Sequence, residues 1–528
     1  MVKLTFYGGV GEIGGNKILL EDDKGKLFLD FGYPYKKYRA FYEEYLKPRP
    51  GAGLLDLLVM GLLPKLEGTY RADLLTEDLW QQFRQAEHYR KLEDANGILL
   101  THAHLDHSGH IAFLREDMPV YATATTAFIA KAIQDSGKAS FDQQVCYFTP
   151  RIKECAEGLK QAAYVASSAG DRQRPFRIAD RPRLNQEAEK FWQKATSRKK
   201  FAWQPLEDVS DCNFALRCFP VDHSIPGACA WGIETSSGWV VYSGDLRLHG
   251  KRGKLTEAFM KEAARLRPRA LILEGTNVGK GANIAEREVY DNAFKAVNGA
   301  RGLVIADFPA RDIDRLLTFL QVARDTKRKL AVLPRDAYLL KTMRLLEPEI
   351  PDLAAEGSLV IYQETTAARS PAPWLRSIYD DYSSKVVLAK DVSANQGDFI
   401  LSFSFWDLNE LPSIQPGAGS LYVFSSSEPH DEEQQMDFWR LHHWLEQFHL
   451  RAFGLPVQKN REWEIPERER GLHASGHACG PDLLRVAREI QPEVLIPVHS
   501  EKPEFYVDNL RDSGMNIILP TEAGTVAI

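Results

Sequence analysis

The chain has 528 residues, 44% hydrophobic and 26% charged, so it should fold around sizeable cores and, at about 150 residues per domain, into more than one unit. A formal net charge of -6 leaves any affinity for a polyanion to local basic patches, and six cysteines without a CxxC pair exclude a disulfide framework and a cysteine zinc knuckle. Met1 to Tyr7 offers no apolar signal region, and no apolar run approaches the roughly 20 residues of a membrane span; a soluble, unprocessed, cytoplasmic protein without membrane contact is expected.

In chain order, Gly9, Gly11 and Gly14 first spell GxGxxG, with Asp30 where a ribose-binding acid would sit. A dinucleotide fold needs a helix next. Instead Asn16 to Leu20, a polar turn Glu21 to Gly25 and Lys26 to Asp30 read as a β-hairpin, so the glycines are expected to turn the backbone tightly beside a site. Residues 33–96 read as a mostly helical insertion that opens with Tyr33, Tyr35, Lys36, Lys37, Tyr38, Arg39, Phe41, Tyr42 and Tyr45. Such a surface suits stacked bases, and equally suits a layer that packs its own rings.

The apolar strand Ile98 to Leu100 then delivers Thr101-His102-Ala103-His104-Leu105-Asp106-His107. Four ligands of hard to borderline character in six positions, on a loop at a strand end, can feed two cations if alternate side chains point to different metals. A second helical, charged insertion is read over 151–204, where Arg198-Lys199-Lys200-Phe201 and Trp203 suit a solvated helix end, or less readily a nucleic-acid contact. One segment cannot complete two coordination spheres, and further donors follow on separate strand ends: His223 after Phe214 to Phe219, and Asp245 after Val240 to Ser243. From Leu271 onward strands and helices alternate, as in Gly302 to Ala306, Ile313 to Arg324 and Leu330 to Leu333, which implies a parallel βαβ unit.

The HxHxDH segment with His223 and Asp245 resembles the ligand series of the metallo-β-lactamase superfamily, and Asp30 is similar to its first acidic motif. Glu274 in Leu273-Glu274-Gly275-Thr276-Asn277, His477 in His473-Ala474-Ser475-Gly476-His477 and His499 in Pro497-Val498-His499-Ser500 resemble motifs A, B and C of β-CASP nucleases. With Gly8 to Asn16 and His223-Ser224-Ile225-Pro226, the chain resembles the ribonuclease J family over nearly its full length. The resemblance implies an α/β fold: a metallo-β-lactamase αββα sandwich with an inserted β-CASP parallel-sheet αβ domain. Its parts would be 1–275, the insertion 276–469 and a return over 470–528.

It further implies metal-dependent hydrolysis of RNA phosphodiester bonds, exonucleolytic, endonucleolytic or both, by water activated between two divalent cations. Zinc suits the nitrogen-rich set, with manganese as the other occupant. By resemblance His102, His104 and His223 hold one cation, Asp106, His107 and His499 the other, and Asp245 bridges. His477 is then the general acid or a transition-state contact, His473 and Ser475 bind a phosphate oxygen, and Asp30 and Glu274 orient histidines; Asp106, His477, Glu274 and Asp30 make up the catalytic set. RNA is favoured over DNA as partner, and a homodimer is compatible with this reading. The alternatives are a DNA-processing β-CASP nuclease, a small-molecule metallo-hydrolase, which leaves the long insertion unexplained, and a silent scaffold, which the complete ligand series disfavours. Asp307 to Arg315 and Ser425 to Glu432 depart from the family's runs and leave polarity and 5′-end preference open. His110, His249, His430, His442, His443 and His449 lack a partner motif and are expected in packing or at the surface.

Overall fold

Side-chain alternation along three parallel strands, Gly238–Tyr242, Ala270–Glu274 and Val494–Val498, organises the first unit of this computed structural model. Val240, Tyr242, Ala270, Ile272, Val494, Ile496 and Val498 point one way and share a core with Leu4, Phe6, Ile18, Leu20, Leu27 and Leu29 of a second sheet. Val241, Leu271, Leu273 and Leu495 point the other way, beneath Phe259, Met260 and Ala263 of helix Gly253–Arg265 and Leu483, Val486 and Ala487 of helix Gly480–Ile490. Period-two burial on both faces is what a sheet needs when a sheet covers one side and helices the other. The two sheets have six and eight strands, and helix Ala124–Ser136, capped by Thr123, is buried along most of its length. This is the αββα sandwich.

The structure describes all residues except 44, 138–139, 156–162, 197–198, 310, 366–369, 428–431 and 460–461. Contacts divide the chain into one unit of residues 1–248, 252–282 and 477–528 and another of 249–251 and 283–476. The crossings fall later than Gly275 and Arg470, for visible reasons. Asn277 bridges Cys479, and the Gly480 N–H donates to the Lys280 carbonyl at 3.1 Å, which keeps the segment after Gly275 with the first unit. The buried Arg315 guanidinium meanwhile donates to the carbonyls of Leu472 and Ala474 at 3.1 and 3.2 Å and to Glu286 at 2.9 Å, which keeps the segment after Arg470 with the second.

The second unit is a seven-stranded parallel sheet. Strand Val304–Asp307, helix Ile313–Asp325 and strand Lys329–Val332 form its first βαβ step, with Leu303, Ile305, Ala331, Leu401 and Tyr422 in its core. Asp307 ends the first strand, and the hydroxyl of Tyr422 donates to it. Burial pushes its carboxyl up to about 7 despite that bond. The native unit therefore holds a proton that the unfolded chain has already released. This contribution to stability is complete below the ordinary value of 3.8 and is lost as pH rises through about 7. Asp307→Asn keeps an acceptor for Tyr422 and removes the charge, so urea titrations at pH 5 and pH 8 should show wild type losing stability relative to the variant. The slope should be at most roughly 1.4 kcal/mol per pH unit, and an identical pH dependence of the two proteins would refute the assignment.

Both insertions correct the helical reading. Between 33 and 96 the helices are short, Tyr35–Arg39 and Leu55–Val59, because Pro34, Pro48, Pro50, Gly51, Gly53 and Pro64 punctuate the segment into turns. Over 151–204 strand Arg151–Glu154 pairs antiparallel with Ala163–Ala166, strands Asp171–Gln173 and Phe176–Ile178 follow, and one helix, Gln186–Trp192, remains. Glu187, Glu189 and Lys190 lie on that helix, while Lys199 and Lys200 lead into the short strand Phe201–Ala202 instead of ending a helix; Arg198 is outside the described residues. No described helix is long and apolar enough to cross a membrane.

Candidate metal centre

The centre lies at strand ends of the first unit. Strand Gly97–Leu99 runs into His102 and His104, and the short helix Leu105–Ser108 carries Asp106 and His107. His223 follows strand Ala215–Pro220, Asp245 follows Gly238–Tyr242 and His499 follows Val494–Val498. Two backbone features allow this convergence. Gly14 has φ +81°, and a Cβ there would lie 2.8 Å from the Asp106 Cβ, so glycine lets the loop close over that ligand. Asp30 and His499 both sit at φ 53°, a left-handed conformation that costs of order 1–3 kcal/mol and persists where surrounding bonds impose it.

Those bonds are present. Asp30 is fully buried and accepts from the Thr101 N–H, the Thr101 hydroxyl and the Tyr242 hydroxyl, each at 2.8 Å, and it lies 2.6 Å from His107 Nδ1. The His499 N–H donates to the Gly9 carbonyl at 2.7 Å, and its Nδ1 lies 2.8 Å from Thr276 Oγ1. Each ring thus turns its Nε2 inward.

Two donor sets result. His104 Nδ1 is 3.1 Å from both His102 Nε2 and His223 Nε2. In the other, Asp106 Oδ2 lies 3.4 Å from His499 Nε2 and 3.9 Å from His107 Nε2. Asp245 reaches both: Oδ2 is 3.6 Å from His102, 3.9 Å from His223 and 3.1 Å from His107, while Oδ1 is 3.9 Å from His499. A third grouping joins Asp245, Glu274, His477 and His499. There Glu274 Oε2 is 2.9 Å from His477 Nδ1, and Glu274 Oε1 accepts from the Leu246 N–H at 2.8 Å.

Electrostatics follow from burial and these neighbours. Burial and the imidazoles of His107 and His223 hold His102 well below the usual histidine range. His107 is also opposed by burial, yet Asp245, Asp30 and Asp106 outweigh it and raise the ring well above that range. Asp245 and Asp106 stay ionised against burial because His107 and His499 face them. Burial likewise opposes a charged His477, but Glu274 and Asp245 lift it to about 9.

A metal fits this set. Asp245 Oδ1 is buried without a hydrogen-bond partner among the described residues. Ligands about 2.1 Å from a tetrahedral zinc ion lie about 3.4 Å from one another, close to the histidine separations above. Thr101, Tyr242 and Thr276 had not been singled out from sequence. Thr101 and Thr276 stand inside motifs read for their acids and histidines, and the only signal was a hydroxyl next to a ligand or orienting acid; nothing local marks Tyr242. Since groups that orient a metal ligand are worth about 10–100-fold in affinity, Thr276→Val should weaken binding of the metal that His499 would hold by that factor in competition with a chelator. Unchanged metal retention would remove Thr276 from the site.

His473 and Ser475 belong to the second unit, where the Ser475 carbonyl lies 2.9 Å from His249 Nε2. His110 is buried against Tyr33, His442 stacks on Trp463, and His430 is outside the described residues.

The family described as "Zn-dependent metallo-hydrolase RNA specificity domain" matches residues 466–520. The chain is 23% identical to ribonuclease J of Mycobacterium tuberculosis, over 94% of this chain and 68% of that protein. To ribonuclease J of Helicobacter pylori it is 21% identical, over 95% of this chain and 56% of that protein. A crystal structure of a protein of unknown function from Enterococcus faecalis superposes with a TM-score of 0.64 at 20% identity, covering all of both chains, which shows the shared fold. The donor clusters and the family match together indicate use of a divalent metal. Over nearly its full length the chain is thus similar to ribonuclease J proteins, and its fold is an αββα sandwich with a parallel-sheet αβ unit inserted in it.

Proposed function

We propose that this protein hydrolyses phosphodiester bonds of RNA with two divalent cations, zinc by the nature of the donors. In this reading His102, His104 and His223 hold one, Asp106, His107 and His499 the other, and Asp245 is shared. The observation that carries it is the reach of the single Asp245 carboxylate to both histidine sets, at 3.1 to 3.9 Å. Support for RNA comes from the matched RNA specificity domain and from the ribonuclease J relatives.

When bound, such a cation pair supplies a water of lowered pKa and positive charge for the developing phosphorane. The chain's own groups do the rest. Asp30 holds Nδ1 of His107 and Thr276 holds Nδ1 of His499, which fixes the direction of each Nε2. Glu274 holds Nδ1 of His477, so proton transfer through that ring uses Nε2, toward the leaving oxygen.

The test is incubation of matched 5′-labelled and 3′-labelled RNA and DNA with the metal-loaded protein, with and without chelator. Chelator-sensitive shortening of RNA is expected, and the labelled end that survives reports polarity. No RNA cleavage with both cations bound would overturn the proposal.

A further inference from the structure

The aromatic segment after Asp30 is not used by the chemistry above, and it is anchored to the metal centre by backbone bonds. The Gly32 N–H donates to the Asn16 carbonyl at 2.9 Å, the Tyr33 N–H to the Leu105 carbonyl at 2.8 Å, and the Gly15 N–H to the carbonyl of Asp106 itself at 3.0 Å. From this anchor the rings form a chain. Tyr33 meets Tyr35 at 5.1 Å and Tyr38 at 5.0 Å between centroids, and Tyr38 meets Tyr42 at 5.2 Å.

A layer built only to pack its own rings would bury them. Here the inner ring, Tyr33, is largely covered by Tyr38 and His110, but Tyr35, Phe41 and Tyr45 are 36%, 47% and 88% exposed. Basic groups lie among them: the Arg39 guanidinium is 5.8 Å from the Tyr35 ring centre, and Lys36 pairs with Glu501 at 2.7 Å in a solvent-exposed bridge. An exposed ion pair contributes little, so Lys36 can exchange its carboxylate for a phosphate at small cost. Exposed aromatic faces interleaved with cations are how single strands are held without sequence preference.

We propose that the segment Tyr33 to Tyr42 is a stacking platform, with Tyr35 as the ring that takes an unpaired base of the substrate strand and Lys36 and Arg39 as its phosphate contacts. This rests on the phosphodiesterase reading and adds a subsite to it. The platform holds single strands in preference to duplex, because bases within a duplex already stack on one another.

The test uses the full-length, metal-loaded protein and a labelled 2′-O-methyl phosphorothioate oligo(A), which resists cleavage, beside an abasic phosphorothioate strand of equal length. Wild type should bind the base-bearing strand about 5- to 150-fold more tightly than the abasic one, the usual worth of one stacked base. Tyr35→Ala should lose most of that difference and Tyr35→Trp should restore it. If Tyr35→Ala fails to fold, Tyr35→Leu keeps apolar volume without an aromatic face and should show the same loss. A Tyr35→Leu protein with the wild-type preference for bases would overturn the platform while RNA cleavage by wild type leaves the parent reading standing. A wild type that neither cleaves RNA nor binds either strand would overturn both.

Discussion

Asp245→Ala should release both cations together. Its two oxygens lie within 3.1 to 3.9 Å of nitrogens from both histidine sets, so truncation removes a donor from each and leaves His102, His107, His223 and His499 facing an uncompensated cavity. A bound cation is worth several kcal/mol of transition-state charge stabilisation, and at 1.36 kcal/mol per decade the rate of RNA cleavage should fall by roughly 10³–10⁴-fold or more. Elemental analysis after dialysis should find less than one cation per chain. Retention of two cations at unchanged affinity would show that Asp245 is not shared, and would favour separate sites. Because Asp245 is fully inside the fold, the same experiment should include thermal unfolding, and added zinc should stabilise wild type far more than the variant.

His477→Ala separates a proton donor from a ligand. The ring lies 2.9 Å from Glu274 and 3.9 Å from Asp245, close enough to belong to either description. If it gives a proton to the leaving oxygen, the variant should keep both cations and its nucleic-acid affinity while cleaving roughly 10²–10⁴-fold more slowly. A leaving group that needs no protonation, such as a p-nitrophenolate ester, should recover much of that loss. If instead the ring is a ligand, metal content should fall in step with activity and the activated ester should give no recovery. Wild-type cleavage with both cations in place would remove His477 from the reaction altogether.

Much of the fold was legible because it is written at short range. The hairpin from Lys17–Asp22 to Gly25–Phe31 follows from two short apolar runs on either side of a polar turn, which excluded the helix that GxGxxG would otherwise suggest. The parallel unit was legible from the rhythm of Val304–Asp307, Ile313–Asp325 and Lys329–Val332. The insertions were not, because charge and aromatic patterns in irregular segments mimic a helix surface, while prolines and a cross-strand pairing of residues such as Ile152 and Val165 decided otherwise.

By itself the sequence determined the chemical inventory: the acids and histidines, their order and the strand ends that deliver them, since donor type and strand periodicity are local properties. Tertiary structure alone decided which atoms meet. Four strand ends of one sandwich bring His102, His223, Asp245 and His499 together across hundreds of residues, and Asp30 reaches His107 only because their strands are neighbours in one sheet. It also decided the partners that no motif announces, Tyr242 on Asp30 and Thr276 on His499, because a hydroxyl becomes specific only when the fold closes it against a buried ring or carboxylate.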